Sequence, residues 1–234
     1  MGLKQEEDSW KLKRKTAMKR ILMFLLFGML TATGALSQVD ILVIGGPSFS
    51  NFIGSERENW GGVNEKPKMA IRVHIGVQIS YPINEQLSAI SGLQFSTKGA
   101  TYSGSPFEIE EEYNKVLSYL DIPLNVQYAL SEKFSLQGGF QASILVSAKV
   151  KNGEEVQDAY QLPATEDAKD DYKGFDLAIN IGPVYKISDK LAAQLMYQHG
   201  LSKIGQYAEN GADVTYDVKN QVIKLSLTYI IKKQ

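Results

Sequence analysis

Few side chains in this sequence carry reactive chemistry. There are two histidines, His74 and His199, and no cysteine among 234 residues, which excludes a thiol nucleophile, thiolate metal sites and disulfides. His199, Ser202 and Asp176 are the residue types of a hydrolytic triad, where an imidazole takes a hydroxyl proton and a carboxylate orients the ring. Acidic residues gather from 151 to 173, with Glu154, Glu155, Asp158, Glu166, Asp167, Asp170 and Asp171 against Lys151, Lys169 and Lys173. Such a density of carboxylates suits calcium or a basic partner, but the Asp-x-Asp-x-Asp-Gly spacing of a calcium loop is missing and a solvated acidic face is the plainer reading. No zinc-protease helix, nucleophile elbow, phosphate loop or dinucleotide fingerprint occurs, so the expectation is a non-enzyme with no catalytic residues, no metal and no cofactor.

The elements that position these residues are strands. From 71 to 81 the odd positions are Ile71, Val73, Ile75, Val77, Ile79 and Tyr81, and the even ones are Arg72, His74, Gly76, Gln78 and Ser80. A period of two is that of a strand with one apolar face. The same alternation, of varying strength, runs through 39–49, 87–99, 113–128, 134–150, 175–187, 191–202 and 223–231, which makes eight strands. Tight connections at Pro82–Gln86, Ala129–Lys133 and Lys186–Lys190 alternate with long polar ones at about 50–68, 103–112, 151–173 and 203–217. This layout predicts an all-β, eight-stranded, antiparallel up-and-down transmembrane barrel with short periplasmic turns and long extracellular loops. On it, Asp176 and His199 belong to opposite faces, so the triad is not expected to assemble.

An internal repeat sets the register. Tyr81–Leu87, Tyr128–Phe134 and Tyr185–Leu191 align without gaps, and Tyr229 takes the same place in the last strand. Four tyrosines at one end of the apolar face predict half of an interfacial girdle, because an aromatic body with a wet tip favours the headgroup level. The polar face separates a membrane barrel from a soluble lipocalin-like carrier. It holds mostly Gly, Ser, Gln, Ala and Asn rather than the Lys and Glu of a solvated exterior, which suits the cramped lumen of an eight-stranded barrel. Its charges are Arg72, Lys98, Asp121, Lys149, Asp176, Lys186 and Lys224. Counted up from the girdle, Arg72, Asp121 and Asp176 fall in nearby layers, which predicts a lumen network in which Arg72 pairs with one or both carboxylates.

Lys19-Arg20, the apolar run Ile21–Leu30 and the small residues up to Ser37 have the order of an export signal, so 1–37 are expected to be removed and 38–234 to form one barrel domain. The first 17 residues are polar and charged, and of the two candidate starts, Met1 and Met18, Met18 is the expected initiator. Residues 1–37 carry seven basic and three acidic side chains, which leaves 18 basic against 23 acidic on the remainder and no basic surface for nucleic acid. Trp60, in the first long loop, is the expected exposed contact residue.

Three segments carry a family resemblance: Tyr119-Leu120-Asp121-Ile122-Pro123-Leu124, Gly92–Gly99 and Ile181-Gly182-Pro183-Val184-Tyr185. Over about 38–231 the chain resembles the PorT-like outer-membrane β-barrel family of Bacteroidetes. The resemblance implies an outer-membrane protein, a branch of whose relatives is tied to protein secretion and gliding. Lipid, lipopolysaccharide and the barrel-assembly machinery are then its expected partners, beside a surface or secretion partner. A structural or surface-interaction role leads; a narrow porin-like channel or transport component and a soluble periplasmic carrier are the alternatives. The protein is expected to fractionate with outer membranes and to change mobility on a gel when boiled; recovery in the soluble periplasmic fraction would count against the barrel.

Overall fold

The computed structural model describes residues 39–58, 66–104, 111–154, 157–158, 161–209 and 212–232. Trp60 and the expected export segment 1–37 lie outside the described residues. The strands are β1 (Asp40–Ile53), β2 (Lys66–Lys68), β3 (Ala70–Pro82), β4 (Leu87–Gly104), β5 (Glu111–Ala129), β6 (Phe134–Lys151), β7 (Thr165–Asp167), β8 (Phe175–Lys186), β9 (Leu191–Gly200), β10 (Gly205–Glu209), β11 (Ala212–Tyr216) and β12 (Lys219–Lys232). Eight of them close a barrel in the order β1, β3, β4, β5, β6, β8, β9, β12 and back to β1, every pair antiparallel. The other four decorate the long-loop end: β2 extends β4, β7 extends β6, and β10 and β11 form a separate hairpin. Closure leaves no unpaired sheet edge, which is the condition for a sheet to stand in hydrocarbon.

The pairing fixes the barrel's shape. Paired residues followed once around, from Ile41 through Ile79, Ser91, Leu124, Phe140, Ile179, His199 and Gln221, return to the first strand at Asn51, ten residues further along it. Eight strands with that stagger tilt by roughly 40° and leave an interior only wide enough for side chains.

The three short turns are built alike, and the repeat explains why. Asn84 Oδ1 accepts from the backbone N–H groups of Gln86 and Leu87 at 2.9 and 2.8 Å. Ser131 and Ser188 hold the same place in their turns and accept from Phe134 and Leu191 at 3.1 and 3.2 Å. A short oxygen-bearing side chain at this position closes the turn against its own backbone. Directly before each turn stand Tyr81, Tyr128 and Tyr185, and with Tyr229 they lie on the outer wall, each more than a third exposed.

The outer wall is apolar. Ile71, Val73, Ile75, Val77 and Ile79 of β3 are all exposed, Ile71 by 71%. The inner wall is polar, with Gln78, Gln94, Gln137, Gln141, Gln194 and Gln198 all at most 5% exposed. A soluble carrier needs the reverse arrangement, so the apolar wall faces lipid.

One strand breaks the alternation. On β6 the register against β5 shifts between Ser118 and Tyr119, so that Leu145 and Ser147 oppose neighbouring residues with Val146 left over. The extra residue is a β-bulge, and it exchanges the two faces beyond it. Lys149, placed on the polar inner face by simple alternation, is therefore exposed, while its neighbour Ala148 points inward and is buried. On β4, Gly99 has φ of 114°, and a Cβ there would collide with the backbone carbonyl of Lys115. Gly99→Val combines that collision with a left-handed backbone that a branched residue resists, and the expected loss is about 2 kcal/mol or more, read as a lower urea midpoint in micelles.

Candidate functional site

The lumen is built in three levels: a charged layer, a cap above it on the extracellular side, and an open vestibule below it. The charged layer rests on a cross-strand row. Asp121 of β5 pairs in register with Ser143 of β6, and Ser143 with Asp176 of β8. Two carboxylates are thus held on either side of one serine. Lys98 of β4 bridges them, with Nζ 3.5 Å from Asp121 Oδ1 and 3.3 Å from Asp176 Oδ2, and it also donates to Ser143 Oγ at 3.0 Å. Lys98, Asp121 and Asp176 have no exposed side-chain surface. Lys224 of β12 adds the second cation, 3.4 Å from Asp121 Oδ2, and donates to Gln141 Oε1 at 3.2 Å.

Neutral groups complete the layer. Ser96 Oγ donates to Asp121 Oδ2 at 2.7 Å, and Asn220 Nδ2 donates to Asp176 Oδ2 at 2.9 Å. Lys98 Nζ also lies 4.4 Å from the centroid of the Tyr119 ring. Two buried cations face two buried carboxylates, so the layer is neutral. Such a group stands in a low-dielectric interior only because its charges are paired and hydrogen-bonded.

The structure brings Asp121 and Asp176 into one network, with Lys98 rather than Arg72 as the cation between them. The pairing of β3 with β4 stops at His74 and Ser96, so Arg72 stands just beyond the last paired residues. Its guanidinium donates to Asn114 Oδ1 at 3.4 Å and to the Lys115 carbonyl at 3.3 Å. Asn114 belongs to the outward set of β5, and Arg72 leaves the lumen where the ladder ends. Lys98 and Lys224 were legible as polar-face charges; that Lys98 spans both acids was not, because it depends on which strands face each other across the lumen.

Neither histidine joins a triad. His74 Nε2 lies 2.7 Å from Ser226 Oγ in the lumen, a hydrogen-bonded pair among buried residues. His199 Nδ1 lies 3.1 Å from the Tyr197 hydroxyl on the outer wall, while Ser202 Oγ accepts from the Leu177 backbone N–H at 2.9 Å. Among the described residues no group of three or more His, Asp or Glu is placed to hold a metal ion.

The cap is apolar and aromatic, and alternation alone gave no sign of it. Phe52, Tyr102, Leu117 and Tyr119 of the barrel are buried with Tyr172, Ile204 and Val218, which the long connections lay across the mouth. Tyr102 and Tyr113 stack at 5.4 Å, with Lys115 Nζ 4.6 Å from the Tyr102 ring centroid. Burial also raises the Asp171 carboxyl above its usual range. A second tie joins the first and last long connections, where Asp217 Oδ2 accepts from the Ser55 N–H at 3.3 Å and from its hydroxyl at 3.0 Å. The Ser55 backbone bond, followed by its hydroxyl, holds the Asp217 carboxyl below the usual range.

Below the charged layer lies a small space of about 20 Å³ among Gln94, Asn125, Gln137, Gln141 and Gln194, with room for about one water. Beneath it the barrel widens into a vestibule of about 590 Å³ ringed by the three short turns.

The sequence profile described as "Outer membrane protein beta-barrel domain" matches residues 32–206. Among solved structures, Neisserial surface protein A is similar with a TM-score of 0.51 at 10% identity, over 82% of this chain and 97% of that one. The attachment invasion locus protein Ail of Yersinia pestis follows at 0.43 and 13% identity, over 82% and 98%. Outer membrane protein W of E. coli gives 0.42 and 12% identity, over 83% and 98%. No curated protein matches in sequence. At these identities the structural likeness speaks to the fold.

Lys98→Met leaves two buried carboxylates sharing one remaining cation, and the expected cost is about 3–5 kcal/mol in a urea titration of the micelle-bound protein. Adding Asp176→Asn, which leaves the neutral Lys224–Asp121 pair, is expected to restore part of it, while Arg72→Ala, at a half-buried site, costs about 1 kcal/mol or less. For Asp217 the lowered value means that its tie to Ser55 is intact at neutral pH. It is lost only as pH falls below the usual carboxylate range of about 3.9, which amide exchange at Ser55 would report.

Proposed function

From the premise that the chain belongs to the family of outer membrane protein β-barrel domains, we propose that it is a closed, non-enzymatic barrel working through its ends rather than as a pore. The observation carrying this reading is the filled lumen. A neutral layer of four buried charges is stacked directly under an apolar cap, so an ion or solute would have to displace both. Opening such a path means exposing paired charges and breaking an aromatic cluster together, which disfavours a leak in the resting state.

The extracellular face then carries the outward role. Part of its acidity is spent on holding the loops: Glu112 pairs with Lys68 at 3.0 Å, and Glu166 Oε1 accepts from Asn152 Nδ2 at 3.2 Å. Among the described residues the carboxylates of Asp158 and Asp170 make no such tie, and they supply a surface for a basic partner beside lipopolysaccharide. The Leu120-Asp121-Ile122-Pro123-Leu124 segment supports placing the chain near the PorT-like branch, and with it a partner from a secretion apparatus. In planar bilayers the purified protein is expected to give no unitary conductance, and a reproducible channel would overturn the closed-barrel reading. Asp158→Asn with Asp170→Asn is expected to weaken capture of a basic surface partner several-fold at low salt and far less at high salt.

A further inference from the structure

The vestibule at the periplasmic end has the features of a binding site rather than of a channel mouth. Its volume, about 590 Å³, lies in the range of small-ligand sites, and its walls come from all eight barrel strands and the three short turns. It is blind, because the buried charged layer fills the lumen above it and leaves only a space of about 20 Å³ beneath. Whatever enters from the periplasm leaves by the same way.

Two independent features indicate what would enter. The first is the floor. Gln78 is 5% exposed and lines the vestibule, yet its side-chain amide makes no hydrogen bond among the described residues. Beside it Gln194 Nε2 donates to Gln137 Oε1 at 2.6 Å, which leaves the Gln194 oxygen and the Gln137 NH₂ turned to other partners. An amide both donates and accepts, and buried amides are normally satisfied. The peptide group offers the same pairing, one N–H and one C=O per residue.

The second feature is charge. Among the described residues, Asp40, Glu85, Glu132 and Asp189 line the vestibule against one cation, Lys186, which is itself paired with Asp189 at 2.7 Å. Lys133 and Lys190 belong to the same turns and do not line it. An acidic rim over low-dielectric walls concentrates cations at the opening. Between rim and floor lie Leu42, Ile90 and Val184, an apolar belt suited to an aliphatic stem such as that of lysine.

We propose that the vestibule binds a short, positively charged peptide segment of a periplasmic partner, with backbone amides on the glutamine floor and a lysine or arginine at the carboxylate rim. This goes beyond the outward role and stands independently of it, since conductance and loop binding do not report on it.

The test uses the full protein folded in nanodiscs and a fluorescent, end-blocked pentapeptide of alternating alanine and lysine. Binding is expected by anisotropy, together with shifts of the side-chain amide NMR signals of Gln78, Gln137 and Gln194. Glu85→Gln with Glu132→Gln, both at exposed turn positions, and separately Gln78→Leu, are each expected to weaken binding by about tenfold or more, the scale of a lost hydrogen bond to a charged group. Glu166→Gln with Asp170→Asn, at the opposite end, is expected to leave it unchanged. Equal binding of a glutamate counterpart, or insensitivity to the vestibule substitutions, would overturn the proposal. Displacement by spermidine or by an N-acetylglucosamine tetramer at equal concentration would also overturn it, and would assign the vestibule to a polyamine or a glycan.

Discussion

Hydrocarbon accepts no hydrogen bonds, and the rest of this structure follows from that. A strand crossing lipid must pair on both edges, so the sheet closes; closing eight strands with a ten-residue stagger leaves an interior too narrow for bulk water. Above the vestibule, inward polar side chains then find most of their partners among one another. A polar wall curved this tightly cannot be left empty in the way that a wide porin lumen can. The Gln–Gln, Gln–Lys and Ser–Asp bonds across the lumen are the result.

The charged layer is the most demanding part of this arrangement. Asp121 receives Lys98, Lys224 and Ser96, from three strands, and Lys98 in turn joins it to Asp176. Pairs of this kind do not rank among the strong contributors to stability, since desolvation offsets much of their attraction, but removing one member leaves the others without compensation. What the layer supplies is a single register, because a strand that slipped by one residue would turn its charge into lipid. The hub is also the aspartate of the Leu120-Asp121-Ile122-Pro123-Leu124 segment, so a motif that stands out in the sequence is a packing device of the lumen.

The two ends differ because their connections differ. Short turns bend back at once and hold no residues to spare, so the periplasmic end stays open as a vestibule. Long connections have enough chain to lay Tyr172, Ile204 and Val218 over the opposite mouth, and burying those side chains is what keeps the connections in place. A cup closed toward the outside and open toward the periplasm is a poor conduit. It is a reasonable shape for two separate surfaces.

The strand count, the alternation of short and long connections, the outward tyrosines before the short turns and the polar interior were all legible in the sequence, because each is a local consequence of a two-residue period and of turn chemistry repeated three times. Asn84, Ser131 and Ser188 occupy one aligned position, and each closes its turn in the structure. The bulge at Val146 was not legible: an extra residue leaves the composition on either side unchanged, and only the partner strand reveals the shift that turns Lys149 outward. Arg72 and Lys98 look alike as inward charges. Which of them meets Asp121 and Asp176 was decided by where the β3–β4 ladder stops and by which walls oppose across the lumen, and both are properties of the closed barrel rather than of any strand in it.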